Sequence, residues 1–547
     1  MTEHVDCVVV GSGAGGAPVA YELARAGASV VVLEKGPRYA RTDVLHDEIS
    51  SCRRDMFVPF PADDPHTLRR SDRDRATPTN AGWTSRCVGG GTVHMSGFFF
   101  RLPEVDFRLA STRGPIAGST LIDWPIDYGE LAPFYDRVEA EVGVSGDVSG
   151  NPFEPPRQGP LPFSPVVTHP AAEWLDEAGA KLGLHPYPTP RAIITRPVEG
   201  RSACAYCPLC GSYGCEVDAK SSTAASLLPA AEATGRCEVR SGAMVFDLPV
   251  SLSGRVLGAR YFDTDGAERE IRADRVVVAA SALESARLLL LSRSRRFPHG
   301  LGNDRGLVGR NLCFSSLTKL EGWLERDRLP ADRAARLDDR APFVGRAMQD
   351  ELQIQDSAPG TGRGGTLHFL WAHPNPIFAA EKLLRDGERL VFGEELMARL
   401  AHRFRNGRVM EVEGFSDWLP TPGTGVDLDP DVRDRWGLPA ARITVARHPA
   451  DRAASARLAG TGRRMLEALG AEVETLEVGG ETWVLQQGSC RMADRPEDGV
   501  CDRWGKVFDV PNLYVTDGAA LPSGGAVPCT QTILANALRI GAHLAQG

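Results

Sequence analysis

The chain has 547 residues, 42% hydrophobic and 24% charged, enough for several layers around large cores at ~100–200 residues per domain. A formal charge of −9, from 62 Lys and Arg against 71 Asp and Glu, comes with no basic stripe to neutralise phosphates, which argues against a nucleic-acid partner. Glycine (58) and proline (39) stay below the share of a low-complexity chain, and no apolar run approaches the ~20 residues of a membrane helix, so neither disorder nor a membrane partner is expected. The first apolar run opens at Val5, leaving no room for a signal peptide, and a cytoplasmic protein is expected.

Val5-Asp6-Cys7-Val8-Val9-Val10 is followed by glycines and by a helical pattern through Leu23, which predicts strand, tight turn and helix. A second strand over 29–34 completes a βαβ unit. Residues 47–81 are charged and contain prolines, and 145–202 are proline-rich, so both stretches are expected to run over the surface. Between them 124–144 reads as largely helical. Residues 274–280 read as a buried strand and 284–292 as a leucine-rich helix. Alternating segments such as Thr366-Leu367-His368-Phe369-Leu370-Trp371, with a charged helix over 450–469, predict a separate sheet with helices within 316–474. The tail, 512–517 and then 532–544, is again strand, loop and helix. No internal repeat is evident.

Gly11, Gly13 and Gly16 form GxGxxG between the first strand and its helix, where a tight turn lets backbone approach a pyrophosphate at a helix N-terminus. Glu34 stands at the end of the next strand, about 20 residues on, where a carboxylate accepts hydrogen bonds from a ribose 2′-hydroxyl and repels a 2′-phosphate. The fingerprint predicts a bound dinucleotide and leaves FAD and NAD open, because both present adenosine diphosphate to it.

Gly488-Ser489-Cys490-Arg491-Met492, then Val507-Phe508 and the run from Asn512 through Tyr514 to Ala519, resemble the glucose-methanol-choline (GMC) oxidoreductase family of FAD-dependent flavoproteins. Further matching segments are the N-terminal fingerprint, 88–92, Trp124-Pro125-Ile126, 279–292, Gly309-Arg310-Asn311-Leu312 and 532–539. The resemblance implies FAD rather than NAD and an α/β architecture, with a doubly wound, Rossmann-like FAD lobe over 1–315 and 475–547 and a sheet-and-helix substrate lobe over 316–474. It also implies oxidation of a CH–OH group on a small polar, sugar-like or secondary-metabolite substrate, with hydride passing to the flavin while a base takes the hydroxyl proton. Electrons then leave to oxygen or another redox partner. Carried over by position, Gly11, Gly13, Gly16 and Glu34 hold the adenosine half, and Asp517 and Gly518 lie along the pyrophosphate and ribityl. Gly90, Gly91 and Thr92 match the glycine turn beside the flavin. His94 follows that turn at a place where some members join a histidine covalently to the flavin.

The catalytic pair departs from the family. A histidine is usual three residues before Gly488, where Leu485 stands, and asparagine or histidine before a proline, where Val527 precedes Pro528. Leucine and valine neither accept nor donate a proton. Gln486 and Gln487 are neighbouring groups able to orient a substrate, and His368 or His373, from the expected substrate lobe, is a substitute base. The alternative is nonoxidative, lyase-type chemistry in a GMC-like flavoprotein. A final feature is Cys204-x2-Cys207-x2-Cys210-x4-Cys215, four thiols whose spacing resembles iron–sulfur sequences up to the third cysteine. An iron–sulfur cluster, a zinc site and reduced structural thiols are the three readings.

Overall fold

The computed structural model describes residues 3–53, 56–79, 81–82, 84–353, 363–373 and 375–547. Its N-terminal valine run is apolar throughout because the strand Glu3–Val10 is central to a seven-stranded sheet with a core on each face. Val8 and Val10 join one core with Val31, Leu33, Val276 and Val278. Cys7 and Val9 point to the other, among Val30, Val32 and Val277, which the helices Ala17–Arg25 and Thr530–Ala545 cover through Val19, Leu23, Ile540 and Leu544. Burial on both faces is what a parallel sheet imposes, and it removes the polar alternation from the sequence.

Strand order in this sheet is Cys237–Ser241, Val30–Glu34, Glu3–Val10, Glu268–Val278, Gly258–Phe262 and Met244–Asp247, with Leu513–Val515 also pairing on Glu268–Val278. Val8 lies opposite Val31 on one side and Val276 on the other, both in parallel register. Gly258–Phe262 and Met244–Asp247 add as an antiparallel edge.

The second sheet has six strands, ordered Glu472–Gln487, Cys313–Glu325, Gly407–Ser416, Gly365–Trp371, Arg346–Met348 and Tyr187–Pro188, all antiparallel. Its two faces differ. Leu320, Leu324, Met410, Val412, Leu367 and Phe369 pack against Leu458, Met465 and Leu466 of the helix Pro449–Ala468. The opposite face looks into a cavity between the two sheets.

Two stretches expected to run over the surface are built into the fold. Within 47–81, His66–Arg69 and Thr77–Thr79 extend a four-stranded sheet by pairing beside Pro439–Thr444, which pairs in turn with Gly425–Arg433. Within 145–202, the helix Ala171–Leu182 sends Trp174 and Leu175 into the core beneath the second sheet. Long-range partners at positions 439–444 and 449–468 decide both, and local composition carries no record of them.

Candidate active site

A cavity of about 920 Å³ lies between the sheets, large enough for a dinucleotide together with a small substrate. Its floor is made of glycine turns. At Gly11 the backbone takes φ +99°, and a Cβ there would stand 2.3 Å from the carbonyl oxygen of Ala279, so only glycine lets these two strand ends meet. At Gly16 a Cβ would meet the Gly11 carbonyl oxygen at 2.0 Å, and Gly16 packs helix against turn without lining the cavity. Gly13 faces the second glycine turn, with its built Cβ 3.7 Å from Gly90 Cα. Gly11, Gly13, Gly90, Gly91 and Thr92 all line the cavity. Thr92 Oγ1 donates to the Gly89 carbonyl at 2.7 Å, which closes the turn.

Glu34 is buried at the end of its strand, where it accepts from Ser12 Oγ at 2.7 Å and from the Gly36 N–H at 2.8 Å. Burial pushes its carboxyl up despite these donors. Asp517 caps the short turn Gly518–Ala520 through the Ala519 N–H at 2.9 Å and accepts from Ser285 Oγ at 2.5 Å. Burial pushes it up to about 6. His94 also lines the cavity, stacked on Phe57 and bonded through Nε2 to Ser85 Oγ at 2.5 Å. Burial, then the Lys220 ammonium, pushes its imidazole down to about 4, so it is neutral at pH 7.

The roof is the second sheet, and pleating puts every other residue of its strands into the cavity. Leu317 and Phe415, opposite one another, form an apolar layer, next to Val484 and Leu485 in the cavity wall. One step out, Glu477, Lys319 and Glu413 form a row across three neighbouring strands. Another step out, Glu321 lies opposite Glu411. Lys319 Nζ is 2.9 Å from Glu411, and Lys382, from the helix Pro376–Leu383, is 2.7 Å from Glu321. Burial would lower the Lys319 ammonium, but Glu411 and Glu413 outweigh it and hold it raised. These charges went unread in the sequence. Their signal is the alternation Leu317-x-Lys319-x-Glu321 and Glu411-x-Glu413-x-Phe415 against apolar Leu320, Met410 and Val412.

Two family models described as GMC oxidoreductase match residues 79–315 and 420–537, and an NAD(P)-binding Rossmann-like domain model matches 9–52. The chain is 35% identical to 2-methyl-1,2-propanediol dehydrogenase of Mycolicibacterium austroafricanum, covering 100% of this chain and 96% of that protein. The chain belongs to the GMC oxidoreductase family. It is also 32% identical to paromamine 6'-oxidase of Streptomyces fradiae, over 98% of this chain and 90% of the relative. A solved structure of pyridoxine 4-oxidase from Mesorbium loti shares the fold, with a TM-score of 0.63 over 99% of each chain at 18% identity. This GMC oxidoreductase is an FAD-dependent enzyme acting on CH–OH groups.

The cavity of this GMC oxidoreductase fits FAD on its own evidence. Two glycine turns leave a floor of bare backbone at Gly13 and Gly90. Ser281, in the same wall, has a buried Oγ with no hydrogen-bond partner among the described residues, as expected of a group that meets a ligand. The substitute catalytic groups of the sequence reading are placed otherwise. Leu485 lines the cavity with a left-handed backbone, φ +59°, whereas Val527 is buried in the core away from it. Gln486 is committed to structure: its amide donates to the Gly82 carbonyl at 2.6 Å and Thr84 Oγ1 at 2.9 Å, and accepts from the Leu283 N–H. Gln487 is fully buried off the cavity and bonds the Leu485 carbonyl. His368 is likewise sealed off, stacked on Phe98 with centroids 4.0 Å apart, with neither ring nitrogen hydrogen-bonded. It does not line the cavity. His373 does line the cavity, beside Tyr213.

The cysteines of this GMC oxidoreductase give the iron–sulfur and zinc readings no support. Among the described residues no group of three or more His, Cys, Asp or Glu converges as metal ligands. Cys204, Cys207, Cys210 and Cys215 are free thiols around a space of about 20 Å³ shared with His46 and Lys220. Their sulfurs turn to backbone: Cys204 accepts from the Tyr206 N–H and Cys215 from the Lys220 N–H, each at 3.4 Å. Burial pushes Cys204 up to about 11 and also raises Cys207. Lys220 Nζ donates to the carbonyls of Met95, Cys210 and Tyr213, which ties this segment to the cavity wall. Neither the iron–sulfur cluster nor zinc is placed here.

Proposed function

We propose that the chain oxidises a hydroxyl group of a small, hydrogen-bonding polyol or amino sugar. The observation that carries this reading is the charged roof: Lys319, Glu321, Lys382, Glu411 and Glu413 line the cavity, and beyond their mutual pairs they keep donor and acceptor capacity that a hydrogen-bonding substrate uses and an apolar alcohol does not. The printed names of the relatives, a diol dehydrogenase and an amino-sugar oxidase, fit such a site.

Bound FAD supplies the two-electron oxidant. Gly11, Gly13 and Gly16 shape the turn for its pyrophosphate, and Glu34 accepts from its ribose hydroxyls. Asp517 and Gly518 would hold the pyrophosphate and ribityl, and Gly90, Gly91 and Thr92 would bring backbone to the ring. His94, neutral and held by Ser85, packs beside it. The paired roof charges orient hydroxyl and amine groups, and the Leu317–Phe415 layer keeps water from the reacting carbon. The electrons leave to oxygen or to a separate redox partner, and peroxide formed in step with product identifies the first.

Anaerobic bleaching of the flavin tests the reading. Paromamine and 2-methyl-1,2-propanediol are expected to reduce it, with propan-1-ol and hexan-1-ol at least ~100-fold slower at equal concentration. Equal reduction by hexan-1-ol removes the polyol preference. Bleaching by none of the four removes the oxidative reading.

A further inference from the structure

Oxidation of a hydroxyl needs a place for its proton, and neither Leu485 in the cavity wall nor the buried Val527 can hold one. The roof contains ionisable groups at several levels, and register separates them. Beyond the apolar layer of Leu317 and Phe415, beside Leu485 in the wall, the first ionisable level is the row of Glu477, Lys319 and Glu413. On the next strand this level is His368, opposite Glu413 but shut behind Phe98 and Phe415. Glu321 and Glu411 are one level further out, and each already holds a lysine. His373 lies five residues past His368, beyond the end of its strand and beside Gly211 and Tyr213.

We propose that Glu413 is the catalytic base that accepts the substrate hydroxyl proton. This rests on the oxidative reading above. The O–H bond breaks and its proton passes to a Glu413 oxygen. The carbinol C–H bond breaks with its electron pair, which passes as hydride to the oxidised flavin. The C=O bond forms, and Glu413 leaves the step as a neutral carboxylic acid.

The electrostatics suit the role. Burial raises the Glu413 carboxyl; Lys319 opposes this, and the neighbouring Glu411 adds to it. A raised carboxyl is, once ionised, a stronger base than an ordinary one. The groups facing it are Lys319 and Glu411, with Arg191 acting through space, Glu477 across the row, His368 behind the rings, and His373, Lys382, Arg403 and Glu321 in the same cavity. Lys319 is held on Glu411 by the 2.9 Å pair, which leaves the Glu413 oxygens to the cavity.

The test uses the FAD-loaded protein and its Glu413→Gln, Glu413→Asp and His373→Asn variants, with paromamine and 2-methyl-1,2-propanediol as reductants. Glu413→Gln is expected to keep its flavin content and absorption spectrum and to lose at least ~100-fold in the rate of anaerobic flavin reduction, with KM changed less than about threefold. The acid limb of the pH profile should vanish with it, and Glu413→Asp should recover part of the rate. Infrared difference spectra of the protein without substrate give a readout independent of turnover: a carboxylic-acid C=O band titrating above the ordinary glutamate range, absent from Glu413→Gln. A Glu413→Gln variant that reduces within about threefold of wild type, an acid limb lost in His373→Asn but kept in Glu413→Gln, or a band that persists in Glu413→Gln each overturns the proposal. If neither alcohol reduces the wild type, the oxidative reading falls and this proposal with it; reduction of wild type with Glu413→Gln unaffected removes this proposal alone.

Discussion

The two sheets that enclose the cavity solve burial in opposite ways. The parallel sheet is apolar on both faces and meets the cavity only at its strand ends, where Gly11, Glu34 and Ala279 stand. The antiparallel sheet is apolar on one face and lays charged side chains of the other directly over the cavity. Function at the floor is therefore carried by backbone shape and tolerates almost no added atoms. Function at the roof is carried by side chains and can be retuned one residue at a time. A doubly covered sheet that offers ligands its strand ends suits an invariant cofactor, and a one-sided sheet suits a variable substrate.

The sharpest way to break this contrast is Gly11→Ala. The added Cβ would lie 2.3 Å from the Ala279 carbonyl oxygen at a φ of +99°, so the strand ends must separate. The expected cost is more than about 4 kcal/mol, read from the urea midpoint, with no flavin retained through gel filtration. Retention of flavin by a stable Gly11→Ala would mean that the floor, too, is plastic.

Next in size is Glu284→Gln in the helix Ala282–Leu291, where the floor does carry charge. Glu284 is bonded to His66 at 2.8 Å and Arg287 at 3.1 Å, with Lys35 at 3.6 Å and Arg287 also on Asp434 at 2.5 Å. Burial alone would raise its carboxyl, but Lys35, Arg287 and His66 outweigh burial and hold it well below the ordinary 4.5. Such a depressed carboxylate contributes in full above about pH 4.5 and loses that contribution as pH falls below it. Glu284→Gln should cost about 3–5 kcal/mol at pH 7 by leaving buried cations uncompensated, and the gap to wild type should narrow in melts below pH 4.

How much of this was legible follows the same division. The parallel strands and their glycine turns stand out locally, since Val5 to Val10, Gly11, Gly13 and Gly16 carry both the fold and the ligand geometry in one stretch. In the roof, the alternation around His368 announces a strand but not which face looks inward. Register sets His368 opposite Glu413 on the same face, and it is the Phe98 ring, brought in from outside the sheet, that covers His368 while Glu413 lines the cavity. His66–Arg69 escaped the sequence reading because its partner, Pro439–Thr444, lies hundreds of residues away.

His368→Phe sharpens the roof half of the comparison at a smaller scale. Burial, then Arg191, pushes the His368 imidazole down to about 3 from 6.5, so it folds neutral. A histidine with a depressed folded value costs stability as pH falls below 6.5, because only the unfolded chain takes up its proton, until pH reaches the folded value. Between pH 8 and pH 5 this amounts to about 2 kcal/mol. Phenylalanine keeps the ring stack on Phe98 and has no nitrogens to leave unbonded, so His368→Phe should gain about 2 kcal/mol more over wild type at pH 5 than at pH 8. A gain equal at both values would show that the ring takes up its proton in the folded protein much as it does in the unfolded chain. His94 and His373, each lowered to about 4, leave a residual acid sensitivity in either protein.

The smallest effect is expected at Cys207→Ser, and it asks whether the cysteine segment is a third functional region beside floor and roof. The Cys207 thiol is half-buried, its nearest acceptor the Leu209 carbonyl at 4.0 Å. Serine is nearly isosteric and keeps a donor there, so stability should change by less than about 1 kcal/mol and the flavin spectrum not at all. A thiolate ligand would behave otherwise, because ligation contributes folding free energy outright and serine replaces it poorly. Loss of a chromophore or a collapse of the Cys204–Cys215 segment in Cys207→Ser would therefore reassign those thiols. An unchanged protein leaves Lys220, donating to three carbonyls at 2.6–3.0 Å, as the group that pins the segment to the cavity wall.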